Sequence, residues 1–169
     1  AGQGQSNIFV SRDDDGLGPL GFSAPVAATS TNVGGLESIP AQPNGFIDAG
    51  VDLACDRSAG PNSGRVYLVY LDKPTADVAD DDTNVFIRFS EDIGNSWSSR
   101  VQVNDDGGAR SQFLPRLAVD PVTGAICVTW LDCRNDDGGG GDTDTTGVAN
   151  DNAQVFGTAS IDGGISFLP

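Results

Sequence analysis

Leu53-Ala54-Cys55-Asp56, then Gly64, then Val66-Tyr67-Leu68-Val69-Tyr70-Leu71-Asp72 is one string of this chain. Leu117-Ala118-Val119-Asp120, then Gly124, then Ile126-Cys127-Val128-Thr129-Trp130-Leu131-Asp132 is a second. Both read Leu-Ala-x-Asp, glycine, apolar run, Leu-Asp, at offsets of 64 and then 60 residues. The apolar runs are two-sided. Strand side chains alternate, so Val66, Leu68 and Tyr70 oppose Tyr67, Val69 and Leu71, and Ile126, Val128 and Trp130 oppose Cys127, Thr129 and Leu131. Both faces then have to be covered, which predicts strands inside a stack of sheets rather than a one-sided hairpin.

Working outward, each string leads through an acidic loop to a further strand and a tight turn. The first reads Val85-Phe86-Ile87-Arg88-Phe89-Ser90-Glu91-Asp92-Ile93-Gly94-Asn95-Ser96-Trp97, and the second Val155-Phe156-Gly157-Thr158-Ala159-Ser160-Ile161-Asp162-Gly163-Gly164-Ile165-Ser166-Phe167. They share Ser-x-Asp-x-Gly-x-x-(Trp/Phe). A weaker copy opens the chain, from Ile8 through Ser11, Asp13 and Gly16 to Phe22. The turn has its own chemistry: Gly94 and Gly164 take positive φ without steric cost, while Asp92, Asp162, Ser90 and Ser160 accept bonds from turn N–H groups. Trp97 and Phe167 plug the strand end into the core. With 23 glycines and 9 prolines, no helical stripe, and short β-branched and aromatic runs at Ile8–Val10, Val66–Leu71, Val85–Phe89, Val101–Val103, Ile126–Leu131 and Val155–Phe156, the pattern is all-β.

The two boxes, Ser90/Asp92/Gly94/Trp97 and Ser160/Asp162/Gly164/Phe167, resemble the Asp-box (BNR) repeat of sialidase-like β-propellers. Pro115–Asp120 and Trp130–Arg134 are similar to strands of that family, and the resemblance covers nearly the whole chain. It implies antiparallel four-stranded blades, with residues 1–45 as the end of one blade and a linker, 46–108 as a complete blade, and 109–169 as a blade without its last strand. It also implies boxes lying away from the catalytic centre. A closed propeller needs ~4–8 blades, and about 2.5 repeats are present. The expectation is an incomplete propeller or open β-repeat array whose free edges pair with copies of itself in a ring or filament. The alternative is a piece of a longer propeller that binds or hydrolyses glycans. The chain has no initiator Met and no apolar leader, as expected of a processed or excised chain.

Charge and composition bound the function. Lys and Arg number 9, Asp and Glu 24, and His is absent, for a net charge of −15. That balance disfavours nucleic acid, which needs a basic face. Without His, imidazole acid–base chemistry and His-ligated zinc are excluded. No apolar run approaches the ~20 residues of a spanning helix. The Asp-rich, Lys-poor, His-free composition resembles that of an exported, extracellular protein. Calcium takes six to eight hard oxygen ligands. The richest supply is Asp136, Asp137, Asp142, Asp144 and Asp151, with Asp13 and Asp15 as a second candidate set.

Three cysteines are present. Cys127 and Cys133 lie along one strand, too far apart to bridge at ~3.3 Å per residue. Any bridge within the chain then uses Cys55, and Cys55–Cys133 is preferred because Cys133 sits at a strand end, with Cys127 expected as a buried thiol. The resemblance implies that catalysis needs three arginines on a carboxylate and a Tyr–Glu pair. The only tyrosines, Tyr67 and Tyr70, sit on a two-sided buried strand, and the only glutamates are Glu37 and Glu91, the latter inside a box. Arg116 and Arg134 match family strands and are candidates for a central channel. The expectation is a non-catalytic structural protein.

Overall fold

Nine strands make up the regular structure of the computed structural model, which describes residues 4–42, 45–77, 79–136, 138 and 152–169. Strands β1 (Ser6–Val10) and β2 (Val26–Thr31) form one sheet. Strands β3 (Asp52–Cys55), β4 (Val66–Asp72), β5 (Asn84–Ser90) and β6 (Val101–Gln102) form a second, and β7 (Gln112–Val119), β8 (Ile126–Asp132) and β9 (Gln154–Ser160) a third. Every pairing is antiparallel between chain neighbours. No helix occurs among the described residues. The fold is thus an open all-β array of two, four and three strands, with one sheet inside each of the spans 1–45, 46–108 and 109–169.

The register makes the repeat physical. Val66 pairs with Ser90 and Asp72 with Asn84; in the third sheet Ile126 pairs with Ser160 and Asp132 with Gln154. The box serine therefore always faces the first residue of the apolar strand. The Leu-Asp aspartate lies at the opposite end.

Strand β4 is sandwiched. Its Tyr67, Val69 and Leu71 join Val85, Ile87, Ile126, Val128 and Trp130 in the core against the third sheet. Its Leu68 and Tyr70 meet Ile8 and Ala28 of the first sheet. Strand β8 is covered on one face only. Ile126, Val128 and Trp130 are buried, Thr129 and Leu131 are half-buried, and Cys127 is exposed. This corrects the buried thiol expected at Cys127: among the described residues no sheet lies on that side.

Strand β7 contains Pro115 and a register break between Phe113 and Arg116, with Leu114 at φ 52. A proline costs a ladder hydrogen bond and is tolerated here because β7 is an edge strand. The connection from Asn32 to Val51 is more than the tail of a linker. Its Val33, Ile39 and Ile47 sink into the larger core, and Glu37 and Ile47 bridge each other across it.

The disulfide expected between Cys55 and Cys133 is absent; both are free thiols, as is Cys127. Cys55 pairs with Val66 at the box end of its sheet. Cys133 follows Asp132, at the far end of the next sheet. A seven-residue strand, about 20 Å long, lies between those ends, against the ~7 Å a bridge allows.

Lys73, the only lysine of the chain, closes the end of the sandwich. Its Nζ donates to Glu37 Oε2 at 3.0 Å and to the carbonyls of Asp77 and Asp80 at 2.9 and 3.0 Å. Glu37 Oε1 accepts from the N–H groups of Gly4 and Gly34. The two side chains are 1% and 2% exposed. Burial raises the Glu37 pKa, but the bonds from Gly4, Lys73 and Gly34 outweigh it and hold the carboxyl below its ordinary value. Lys73→Met strands a buried carboxylate and is expected to cost about 3–5 kcal/mol in urea unfolding. Adding Glu37→Gln, whose amide oxygen still accepts from Gly4 and Gly34, recovers most of that loss. A single variant as stable as the parent would show that the pair is not what holds this end.

Candidate functional site

The two ends of the array differ. All three strand–turn repeats place their box turns at one end. Ser90 Oγ donates to Asp92 Oδ1 at 2.8 Å and accepts from Gly94 N at 2.7 Å. Asp92 in turn accepts from Ser96 N at 2.8 Å and Ser96 Oγ at 2.6 Å. The second box repeats this: Ser160 Oγ to Asp162 Oδ1 at 2.8 Å, Gly164 N to Ser160 Oγ at 2.9 Å, and Ser166 N and Oγ to Asp162 at 3.0 and 2.5 Å. Gly94 and Gly164 take φ of 87 and 83. Trp97 packs on the core between the first and second sheets, and Phe167 on the core between the second and third. Ser96 and Ser166 were overlooked in the sequence, although both directly precede the aromatic residue of their box. Arg65 ties the boxes together, pairing with Glu91 and donating to the Gly163 carbonyl at 3.0 Å.

The bonds from Ser96, then Ser90, lower the Asp92 pKa to about 2. Asp162 is likewise held well below the usual carboxylate range by Ser166 and Ser160. The first copy differs: Asp13 accepts from Asp15 N and Leu17 N, and Asp15 from Leu20 N.

The opposite end carries the acidic loops. Asp132 accepts from Trp130 Nε1 at 2.7 Å and from Arg134, which also pairs with Asp105 and Asp106. Asp72 pairs with Arg100. Burial pushes the Asp81 and Asp82 carboxyls up. Asp136 accepts from Gly138 N and Asn152 N, both at 2.6 Å. Asp137, Asp142, Asp144 and Asp151 lie outside the described residues. Among the described residues no three His, Cys, Asp or Glu side chains group to hold a metal ion. Cys133 is buried near Asp81, Arg110 and Ser111, and burial, with the charges of Asp132 and Asp136, lifts its thiol pKa to about 11.

Groups suited to glycoside chemistry are dispersed. Tyr67 and Tyr70 are fully buried. Glu37 is bound to Lys73, and Glu91 to Arg65 on the box rim. Arg134 is taken up by three aspartates. Arg116 differs: among the described residues its guanidinium makes one hydrogen bond, to its own neighbour's carbonyl at Pro115. It lines a cleft of about 640 Å³ beside β1, with Asn7, Gly34, Asp48, Gly50 and Leu114.

No family model matches the sequence, and no curated protein does. Among solved structures the chain is similar to a protein of unknown function from Dyadobacter fermentans DSM 18053, at 18% identity and a TM-score of 0.54, over 95% of this chain. The chain spans 36% of that protein's length. At that identity the likeness concerns the fold. No helix among the described residues is long and apolar enough to cross a membrane.

The box carboxylates set a pH dependence. Their pKa values are depressed on folding, so the stability they supply is complete above about pH 4, the unfolded value, and is lost as pH falls towards 2. In an Asp92→Asn, Asp162→Asn double variant, unfolding free energies followed from pH 5 to 2 are expected to decline less steeply than in the parent. Parallel curves would show that these carboxylates are not bonded as described.

Proposed function

We propose that the chain is a non-catalytic extracellular structural protein of sialidase-like Asp-box repeats that assembles with copies of itself. The carrying observation is the pair of matched box turns on strands in matched register, in an array whose last sheet has one face uncovered among the described residues. An apolar, two-sided sheet unit of this kind is stabilised by stacking on its neighbours. The burial of both tyrosines and the use of both glutamates in ion pairs support a structural role. Light scattering across a concentration range is expected to give masses above the 17.4 kDa of one chain, with no release of sialic acid from sialosides. A strictly monomeric protein sinks the assembly reading; sialoside turnover sinks the non-catalytic one.

Calcium belongs to the same proposal, with the carboxylates of Asp136, Asp137, Asp142, Asp144 and Asp151 as candidate ligands and Asp13 and Asp15 as a second set. Millimolar calcium is expected to raise the Tm and EGTA to reverse the rise. An unchanged Tm removes the ion from this account.

A second reading, a glycan-binding propeller segment, is favoured by Arg116 in its cleft. Arg presents a planar fork suited to a carboxylate. Titration with a carboxylated sugar separates the readings: binding abolished by Arg116→Ala supports this one, and no binding leaves the structural reading alone.

A further inference from the structure

We infer that a pocket at the acidic-loop end, between the Asp81 carboxylate and the Arg110 guanidinium, binds a small zwitterion, its ammonium on Asp81 and its carboxylate on Arg110. Neither self-assembly nor calcium enters into it.

The pocket has a volume of about 300 Å³, at the small end of the ~300–1,000 Å³ that ligand pockets occupy. Four segments far apart in the chain meet around it. They are the connection after β2 at Pro40 and Ala41, the β4–β5 loop at Asp81, the β6–β7 loop at Arg110 and Ser111, and the end of β8 at Cys133. Hydrogen bonds tie them to one another. Ser111 Oγ donates to the Asp81 carbonyl at 2.6 Å, and Cys133 N to the Ser111 carbonyl at 3.1 Å. Lys73 holds the carbonyls of Asp77 and Asp80, which fixes the loop that carries Asp81. The walls are therefore in place before a ligand arrives.

Those walls carry opposite charges that the protein leaves unmatched. Among the described residues neither Asp81 nor Arg110 takes part in an ion pair, whereas Arg12, Arg65, Lys73, Arg100 and Arg134 all do. Burial, first, and the charge of Asp80 push the Asp81 carboxyl up; Arg110 and Lys73 oppose the rise without cancelling it. A partly desolvated carboxylate of this kind gains from an ammonium brought to it, because a nearby opposite charge favours the ionised form and a charge-assisted bond is stronger than a neutral one.

Arg110 spends one N–H on the Gly138 carbonyl at 2.7 Å. That bond orients the guanidinium, whose five donors form a planar fork matched to a carboxylate. Cys133 adds no charge at neutral pH: burial, with the charges of Asp132 and Asp136, lifts its thiol to about 11. Pro40, Ala41 and Ala109 give the pocket an apolar side, suited to the methylenes between two charged ends. A simple anion meets the repulsion of Asp80 and Asp81, and a simple amine leaves Arg110 unmatched. A ligand with both charges satisfies both walls.

The test titrates the 169-residue chain by calorimetry at 0.15 M salt with glycine, β-alanine, γ-aminobutyrate and δ-aminovalerate, and with butylamine and butyrate as single-charge controls. The best-fitting amino acid is expected to bind at a single site, at least tenfold more tightly than either control. Asp81→Asn and Arg110→Gln are each expected to weaken that binding at least tenfold. No saturable binding across the series overturns the inference. So does butylamine or butyrate binding as tightly as the amino acids, and so does binding that neither variant changes. Should a variant fail to fold, amide NMR on the parent decides: the Asp81, Ser111 and Cys133 signals are expected to shift with the best binder, and unmoved signals at all three overturn the site.

Discussion

Strand β4 is apolar on both sides, and the rest of the molecule is arranged around that fact. Tyr67, Leu68, Val69, Tyr70 and Leu71 are all removed from solvent. Burying a side chain of this size is worth about 1.5–3 kcal/mol. Uncovering one side of β4 would therefore cost several kcal/mol, comparable with the ~5–15 kcal/mol that separates a folded domain from its unfolded chain. The first and third sheets are in this sense parts of one core. Neither can leave without exposing Leu68 and Tyr70, or Tyr67, Val69 and Leu71.

The sandwich needs closing at both ends, and the chain does this with opposite chemistries. At the box end small local turns satisfy themselves, each serine and aspartate consuming the N–H groups that the reversal frees. At the other end, long loops meet over the core and a single buried cation organises them. Lys73 gives its three protons to Glu37 and to two loop carbonyls. The excess of aspartate follows from both. Asp92 and Asp162 build turns, while Asp72 and Asp132 anchor strand ends through Arg100 and Arg134. Arg100 and Arg134 also stack on Phe86 and Phe156, so the same pair of contacts recurs in the middle and last sheets.

The features legible in the sequence were those with a local cause. The apolar runs of β4, β5 and β8, the box turns and the repeat offsets each follow from side-chain alternation or turn chemistry over a few residues. What was hidden depends on position in the sheet. Strand β7, whose Pro115 suits only an edge, shows no clear alternation of its own, and only the family resemblance marked Pro115–Asp120 as a strand. Strand β2, Val-Ala-Ala-Thr-Ser-Thr, is too weakly apolar to announce itself. Val33, Ile39 and Ile47 are buried in a segment that the Lys73–Glu37 pair, between residues 36 positions apart, ties to the middle sheet. Cys127 misled because its strand is as apolar as β4, while cover on its second side is a property of a neighbour and not of the strand. Ser96 and Ser166 were visible as an aligned pair and were missed for want of a hydrogen-bonding role.

The matched strands differ most where a neighbour is lacking. In the middle sheet the face turned towards the following sheet carries Tyr67, Val69, Ile87 and Phe89. At the matched positions of the third sheet stand Cys127, Thr129, Gly157 and Ala159. The frame is kept throughout, in the box serines, the Leu-Asp ends and the register, because each sheet has to turn and pair in the same way. The face is not kept, because its shape answers to whatever lies against it. Small residues there let another sheet approach more closely than the ~10 Å usual between packed sheets, while offering it less apolar area.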